Sequence, residues 1–493
     1  MSNITSAHVQ MYRMGTGDCF ILKFFAEDDL QFKMMIDCGT WSGDKETLSK
    51  YVRHLKEEVN NHVDVLVVTH EHKDHVHVFG ACEDLFDDFS VGEVWMSWTE
   101  DDLQPKVQEW QRTYGNQKKA LGKAAKKLKE VVESPGFADQ FLSERSGEVM
   151  LAARKAYAAE IDNFTDLHLA PDGSGGYVGG LAGMDFVKNR LKKQKIRYFK
   201  PGEVLNKIEG LPGIRILVLG PPETWDALKK ESGGKGESYD HNKILAESDA
   251  FAMALLKSDT EDSGDLMPFD DDYLAGPDNE ELKDSYRLAT NAWRSIDNDW
   301  LYGAGNLALR VNSITNNLSL ALAIEFEDSG KVMLFPGDAE YGSWASWHKI
   351  GWNISPYNDK KPMMEDLLNR TVFYKVAHHL SNNGTAKRLG TDMMTHPDLA
   401  VMATLDYNTI SSQWKTTMPN RGLLQDLILR SRGRLIVMNP AGLFYDTRNQ
   451  KPLIDQIEVA RRQMCQVDQD EFTSSFKEGK DSLTWEYTVN GRR

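Results

Sequence analysis

The sequence predicts an α/β layered domain interrupted by two long insertions. Two observations carry this fold class. Apolar stretches of strand length alternate with a stretch of helical spacing over roughly the first hundred residues. Strands of the same kind then return in two later blocks, and the segments between them lose that alternation.

Val9 to Tyr12 and Phe20 to Phe25 read as strands around a Gly15-Thr16-Gly17-Asp18 turn. Phe32 to Ile36 is a third strand, closed by Asp37-Cys38-Gly39-Thr40. Leu48 to Val59 has helical spacing, and Val63 to Val68 is a buried strand by its continuous β-branched content. A helix over Val78 to Phe86 and a strand over Val94 to Ser97 follow. From Trp98 to Phe164 the pattern is helical, with Leu121, Ala125, Leu128 and Val132 on one face and lysines on the other. Pro171 to Gly180 is a Gly-rich loop, and Ile214 to Leu219 is a strand stopped by Gly220-Pro221-Pro222.

Glu223 to Gly305 reads as an acidic insertion with a helix near Asn279 to Ile296. Sheet character returns at Leu318 to Phe326, Val332 to Phe335, Val372 to Val376, Ala400 to Leu405 and Arg434 to Met438. The expected segments are a core over 1–97, 196–222 and 306–445, a helical insertion over 98–195, the acidic insertion over 223–305, and a C-terminal extension over 446–493.

Composition narrows the class. Apolar content of 41% with 27% charged residues fits a globular chain with a substantial core. No apolar run reaches the roughly 18 residues of a membrane span. The N-terminus lacks a basic and an apolar signal region, and the four cysteines are scattered. Reduced thiols in a cytoplasm are therefore expected. A net charge of −16 argues against a broad nucleic-acid-binding surface. It leaves room for a local groove, because Lys118 to Lys129 and Lys188 to Lys200 are basic runs and Asp259 to Asp284 is acidic.

The run Thr69-His70-Glu71-His72-Lys73-Asp74-His75 carries the chemistry. It places three imidazoles and a carboxylate where a strand runs out into a turn. That donor set suits zinc, manganese or iron better than calcium or magnesium. Asp338, after Phe335-Pro336-Gly337, is a carboxylate at a strand end that would bridge two metals. Ala377-His378-His379 follows another strand and supplies a further imidazole. Asp37 is placed to orient a ligand histidine from behind.

In that order the motifs resemble the metallo-β-lactamase superfamily. The chain is most similar to the soluble domain of the ComEC/Rec2 competence proteins and their stand-alone relatives. Gly15-x-Gly17-Asp18 is similar to their opening motif, which gives Asp18 a supporting place. Lys200-Pro201-Gly202-Glu203 and Val218 to Pro222 match their mid-domain strands. Asn316-Asn317-Leu318-Ser319 stands where many members carry a ligand histidine. The resemblance implies an αββα four-layer sandwich and two divalent ions, zinc or manganese. It assigns His70 and His72 to one ion, and Asp74, His75, Asp338 and His379 to the other. His378 then becomes a phosphate-contacting group or proton donor, though the two histidines could exchange roles. Asn317 and Ser319 either contact substrate or a coordinated water, or simply cap the strand. Leu380 in place of Gly, Met418-Pro419 in place of His-Pro, and Val76-His77-Val78 in place of Ile-Gly-Gly depart from the pattern.

The implied activity is hydrolysis by a bridging water, with a DNA or RNA phosphodiester as the leading substrate. Two alternatives stand beside it. One is hydrolysis of small esters, lactones or thioesters. The other is a partner-gated effector of a bacterial system, anti-phage systems included, with an activating protein. The insertions and the tryptophans Trp98, Trp110, Trp293 and Trp300, read as exposed, motivate that last alternative.

Overall fold

A computed structural model describes residues 2–133, 147–168, 180–230, 232–234, 236–239, 304–352, 363–410, 414–440 and 453–492. The chain forms two compact units. One is Met1–Val107, Gly179–Lys243 and Ser313–Arg493; the other is Gln108–Val178 and Ile244–Asn312.

Strands of the first unit are β1 (Ser6–Tyr12), β2 (Phe20–Ala26), β3 (Asp29–Ile36), β4 (His62–Val67), β5 (Ser90–Ser97), β6 (Lys192–Phe199), β7 (Val204–Leu205) and β8 (Ile214–Val218). They continue with β9 (Leu322–Phe326), β10 (Val332–Phe335), β11 (Thr371–Lys375), β12 (Ala400–Asp406), β13 (Leu435–Asn439), β14 (Phe476–Glu478) and β15 (Thr484–Asn490). They form two mixed sheets, in the orders β14-β15-β1-β2-β3-β4-β5-β6 and β13-β12-β11-β10-β9-β8-β7. β3 to β6 run parallel to one another, as do β10 to β13.

Alternation along each strand divides the core. Val9, Met11, Leu22, Phe24 and Met34 from one sheet pack with Ile216, Ile324, Phe373 and Met402 from the other. The opposite faces carry a second and a third apolar cluster beneath helices. On the first sheet these helices are α1 (Lys45–Glu58) and α2 (Lys73–Ala81). Asp44 caps α1 by accepting from Thr47 N at 2.8 Å, and Leu48, Val52 and Leu55 form its buried stripe. Each such burial stabilises the fold by about 1.5–3 kcal/mol. The architecture is an α/β sandwich.

α3 (Pro105–Glu133) and α4 (Gly147–His168) lie largely or wholly in the second unit. On α3, Leu121, Ala125 and Leu128 are buried while Lys119, Lys126 and Lys129 are exposed. The expected loop over 171–179, the acidic segment Asp259 to Asp284, the helix near Asn279 to Ile296, and Trp293 and Trp300 lie outside the described residues. Trp98 and Trp110 are buried, not exposed. Among the described residues no helix is long and apolar enough to cross a membrane.

β5 starts at Ser90 rather than Val94 and β9 at Leu322 rather than Leu318, and three further departures from the sequence reading bear on the core and the site. α2 starts at Lys73 rather than Val78, because the polar ligand run itself forms its first turn. The helical insertion ends before β6, whose lysines occupy an edge strand, where charge discourages strand addition. The C-terminal extension is part of the core: β15 pairs antiparallel with β1 along its whole length, and Tyr487 and Val489 enter the inter-sheet core.

Candidate metal centre

β4 ends at Val67, and His72 is the N-cap of α2, so His70 and His72 lie between strand and helix while Asp74 and His75 occupy the first helical turn. Glycine makes room for this turn. A Cβ on Gly39 would lie 2.2 Å from the Asp74 carbonyl carbon, and one on Gly17 would lie 2.6 Å from the Asp74 oxygen. These contacts explain why glycine neighbours both Asp18 and Asp37. Asp338 follows β10 and His378-His379 follow β11, the adjacent parallel strand, so both strands deliver their ends to one place.

His70, His72, Asp74, His75, Asp338, His378 and His379 are all buried. His75 Nε2 lies 3.1 Å from Asp338 Oδ2, and His379 Nε2 lies 3.2 Å from the same oxygen and 3.0 Å from Asp74 Oδ2. His70 Nε2 and His72 Nδ1 are 3.0 Å apart. Asp37, His378, His379 and Leu380 have left-handed backbone (φ 56°, 47°, 49° and 67°), a strained conformation for these residue types. Ser319 and Asp338 are tied directly, the hydroxyl accepting from Asp338 N at 3.0 Å.

Hydrogen bonds behind the rings set their tautomers. Asp37 accepts from Thr69 N (2.7 Å), Thr69 Oγ1 (2.6 Å) and His75 Nδ1 (2.8 Å). Thr404 Oγ1 donates to Asp18 Oδ1 at 2.6 Å and so accepts from His379 Nδ1 at 2.8 Å. Both imidazoles therefore turn Nε2 toward Asp338. Thr69 Oγ1 lies 3.1 Å from His70 Nδ1, and its proton already goes to Asp37, so it acts as acceptor there as well.

Among the described residues two groups have the donor types of a metal site: Asp74, His75, Asp338 and His379, and Asp18, Asp37 and His75. Their hydrogen bonds separate them. In the second group Asp37 and Asp18 are engaged by Thr69, His75, Thr404 and Lys375. In the first group Asp338 Oδ2 faces His75 Nε2 and His379 Nε2, and Asp74 Oδ1 is buried without a hydrogen-bond partner. One donor atom from each of the four side chains lies within 4.8 Å of the others, an arrangement that fits a divalent ion. The first group is the candidate ligand set.

Burial would lower His75, but Asp338, Asp18 and Asp37 outweigh it and raise it well above the ordinary imidazole range, so an ion must displace its proton. Burial, with His75 and His72 adding to it, holds His70 well below the ordinary imidazole range, so it is neutral and ready to ligate. Burial would lower His379 too, but Asp338 and Asp74 outweigh it and raise it to about 9. Burial opposes ionisation of Asp338, yet His379, His75 and Lys375 hold it well below the usual carboxylate range.

Other residues singled out in the sequence take different places. Ser319 Oγ also lies 3.3 Å from His70 Nδ1, behind the ring. Asn317 Oδ1 accepts from Glu340 N, Ser343 N and Ser343 Oγ, and its Nδ2 donates to Leu228 O. Its amide is spent at the start of the helix Tyr341–Trp347, not on the strand it was expected to cap. The neighbouring Asn316 is the residue that reaches His378, at 3.5 Å. Ser381 Oγ donates to Asn383 Oδ1 (2.6 Å), so it accepts from His378 Nδ1 at 2.8 Å. Nε2 of neutral His378 is then a proton acceptor, not the donor expected. Cys19 and Cys38 are buried thiols 3.8 Å apart, and burial pushes the Cys38 thiol up.

Sequence reasoning passed over Lys375 and Thr404. A lysine ending the apolar strand Thr371–Lys375, three residues before the His pair, was the available signal. The second basic run is also less free than its sequence suggests. Lys188 pairs with Glu100, Arg190 with Glu83, and Lys195 and Arg197 with Glu93.

No protein-family model matches this chain, and no curated protein matches it either.

Proposed function

We propose that this chain is a metal-dependent hydrolase of the metallo-β-lactamase type, with a dinuclear centre and a phosphodiester substrate. The observation that carries the reading is the convergence of buried donor atoms from Asp74, His75, Asp338 and His379, all within 4.8 Å of one another. These four would hold one divalent ion, and His70 with His72 would hold a second. Bound ions of this kind supply Lewis acidity and a water acidic enough to attack at neutral pH.

The chain's own residues do the rest. Asp37 and Thr69 hold the His75 ring in one tautomer, and Asp18 acts on His379 through Thr404. His378 offers Nε2 as a proton acceptor and passes a proton to a leaving oxygen only after taking one up. Burial keeps water from competing for these bonds.

Asp18, Asp37, Asp74, Asp338 and Glu340 are five buried carboxylates around the centre, and Lys375 is the buried ammonium among them. Two divalent ions would offset the resulting deficit of four, so this charge count favours neither a phosphodiester nor a neutral ester. The phosphodiester reading rests on the sequence resemblance. A nucleic acid is the leading candidate. Because the second basic run is largely paired, contacts to a long strand would have to come from elsewhere.

The test is elemental analysis of the purified protein, then assays on bis-p-nitrophenyl phosphate, plasmid and single-stranded DNA, and p-nitrophenyl acetate with added manganese or zinc. Phosphodiester cleavage lost in Asp338→Asn and kept in His168→Ala supports the reading. Turnover of the carboxylic ester alone would transfer it to ester hydrolysis.

A further inference from the structure

The lysine at the end of β11 is placed as few lysines are. Lys375 is buried, and its ammonium contacts Asp338 Oδ1 at 3.2 Å, Gly337 O at 3.0 Å and the Asp18 carboxylate. Asp338 Oδ1 also accepts from His378 N at 3.1 Å. One carboxylate oxygen of Asp338 is thereby consumed by the lysine and a backbone amide, while Oδ2 faces the His75 and His379 rings of the candidate ligand set.

We propose that Lys375 is a permanent cation of this centre, which balances Asp18 and Asp338 and fixes Asp338 so that Oδ2 alone is offered to metal. The inference rests on reading the cluster as a metal centre. Lys375 is a positioning residue on this account, since it acts on the ions only through Asp338. The alternative ligand set, Asp18, Asp37 and His75, is accordingly not a third metal position, because an ammonium already supplies its cation. Buried carboxylates repel one another strongly, and removing the partner of a buried ion pair leaves an uncompensated charge. The lysine lets the ligands sit together before any ion arrives.

A double-mutant cycle on the full chain tests this, using Lys375→Met, Asp18→Asn and the double variant. Thermal unfolding in a chelator should show Lys375→Met melting roughly 5–10 °C below the parent protein. The double variant should recover at least half of that loss, because Asp18→Asn removes one charge that the lysine had balanced. Added manganese should raise the midpoint of Lys375→Met more than that of the parent, since the ions replace the missing cation. Strictly additive losses would overturn the proposal, as would equal manganese shifts in parent and variant when the parent binds the ion. Should Lys375→Met fail to fold, a folded double variant supports the proposal and failure of both overturns it. Manganese uptake by the parent protein is measured separately. Zero uptake ends the metal reading, while the cycle in chelator still decides what Lys375 balances.

Discussion

His75 Nδ1 lies 2.8 Å from Asp37 Oδ2, and this one bond decides which ring nitrogen faces Asp338. Asp37 itself has a left-handed backbone (φ 56°), held by Thr69 N and Thr69 Oγ1. Backbone strain on β3's exit is thus exchanged for a fixed imidazole on α2.

Replacing Asp37 by Ala should free the His75 ring and weaken metal binding about 10–100-fold. Competition against a chromophoric chelator reads this directly. An unchanged affinity would show that Asp37 has no part in orienting His75.

Asn317 and Asp338 should separate cleanly. Asn317→Ala removes the acceptor for Glu340 N and Ser343 N, and should cost about 1–3 kcal/mol of stability without changing ion stoichiometry. Asp338→Asn should lower the number of bound ions, because it removes the carboxylate shared by His75 and His379. Denaturant melts and elemental analysis of both variants check the pair of outcomes.

The pH dependence has a definite sign. His379 is raised from its ordinary 6.5 to about 9 in the metal-free fold; burial opposes the shift and Asp338 and Asp74 drive it. Its contribution to stability is full below 6.5 and is lost as pH rises through about 9. An ion must displace that proton, so apparent metal affinity should climb with pH over the same window and then flatten. Calorimetry in buffers of different ionisation enthalpy measures the released proton; no release would contradict the assignment of His379 as a ligand.

Leu380 sets strain against burial. Its φ of 67° costs about 1–2 kcal/mol, which glycine would relieve. Its side chain is fully buried beneath the second sheet, and losing such a group costs about 2–5 kcal/mol. Leu380→Gly should therefore destabilise the protein by roughly 1–3 kcal/mol net. A more stable variant in chemical denaturation would reverse that balance.

Most strands were legible because each leaves a local mark. Val332–Phe335 is an apolar run between polar breaks, and Phe20–Ala26 buries every second residue in the inter-sheet core. β15 carried the same signal in Trp485, Tyr487 and Val489, but it pairs with β1 at the opposite end of the chain. Distance in sequence hid it. The start of α2 was misplaced because its first turn is made of ligands, whose polar character masks helical spacing.

The amino-acid sequence by itself determined which side chains have metal-binding chemistry and that they stand at strand ends and a helix start, since residue type and short spacing are local properties. Only the tertiary structure decided that Asp74 meets His379, that Asn316 rather than Asn317 reaches His378, and that Lys375 takes one oxygen of Asp338. Those choices depend on the packing of two sheets, which brings groups hundreds of residues apart within hydrogen-bond range, and no pattern confined to one segment encodes them.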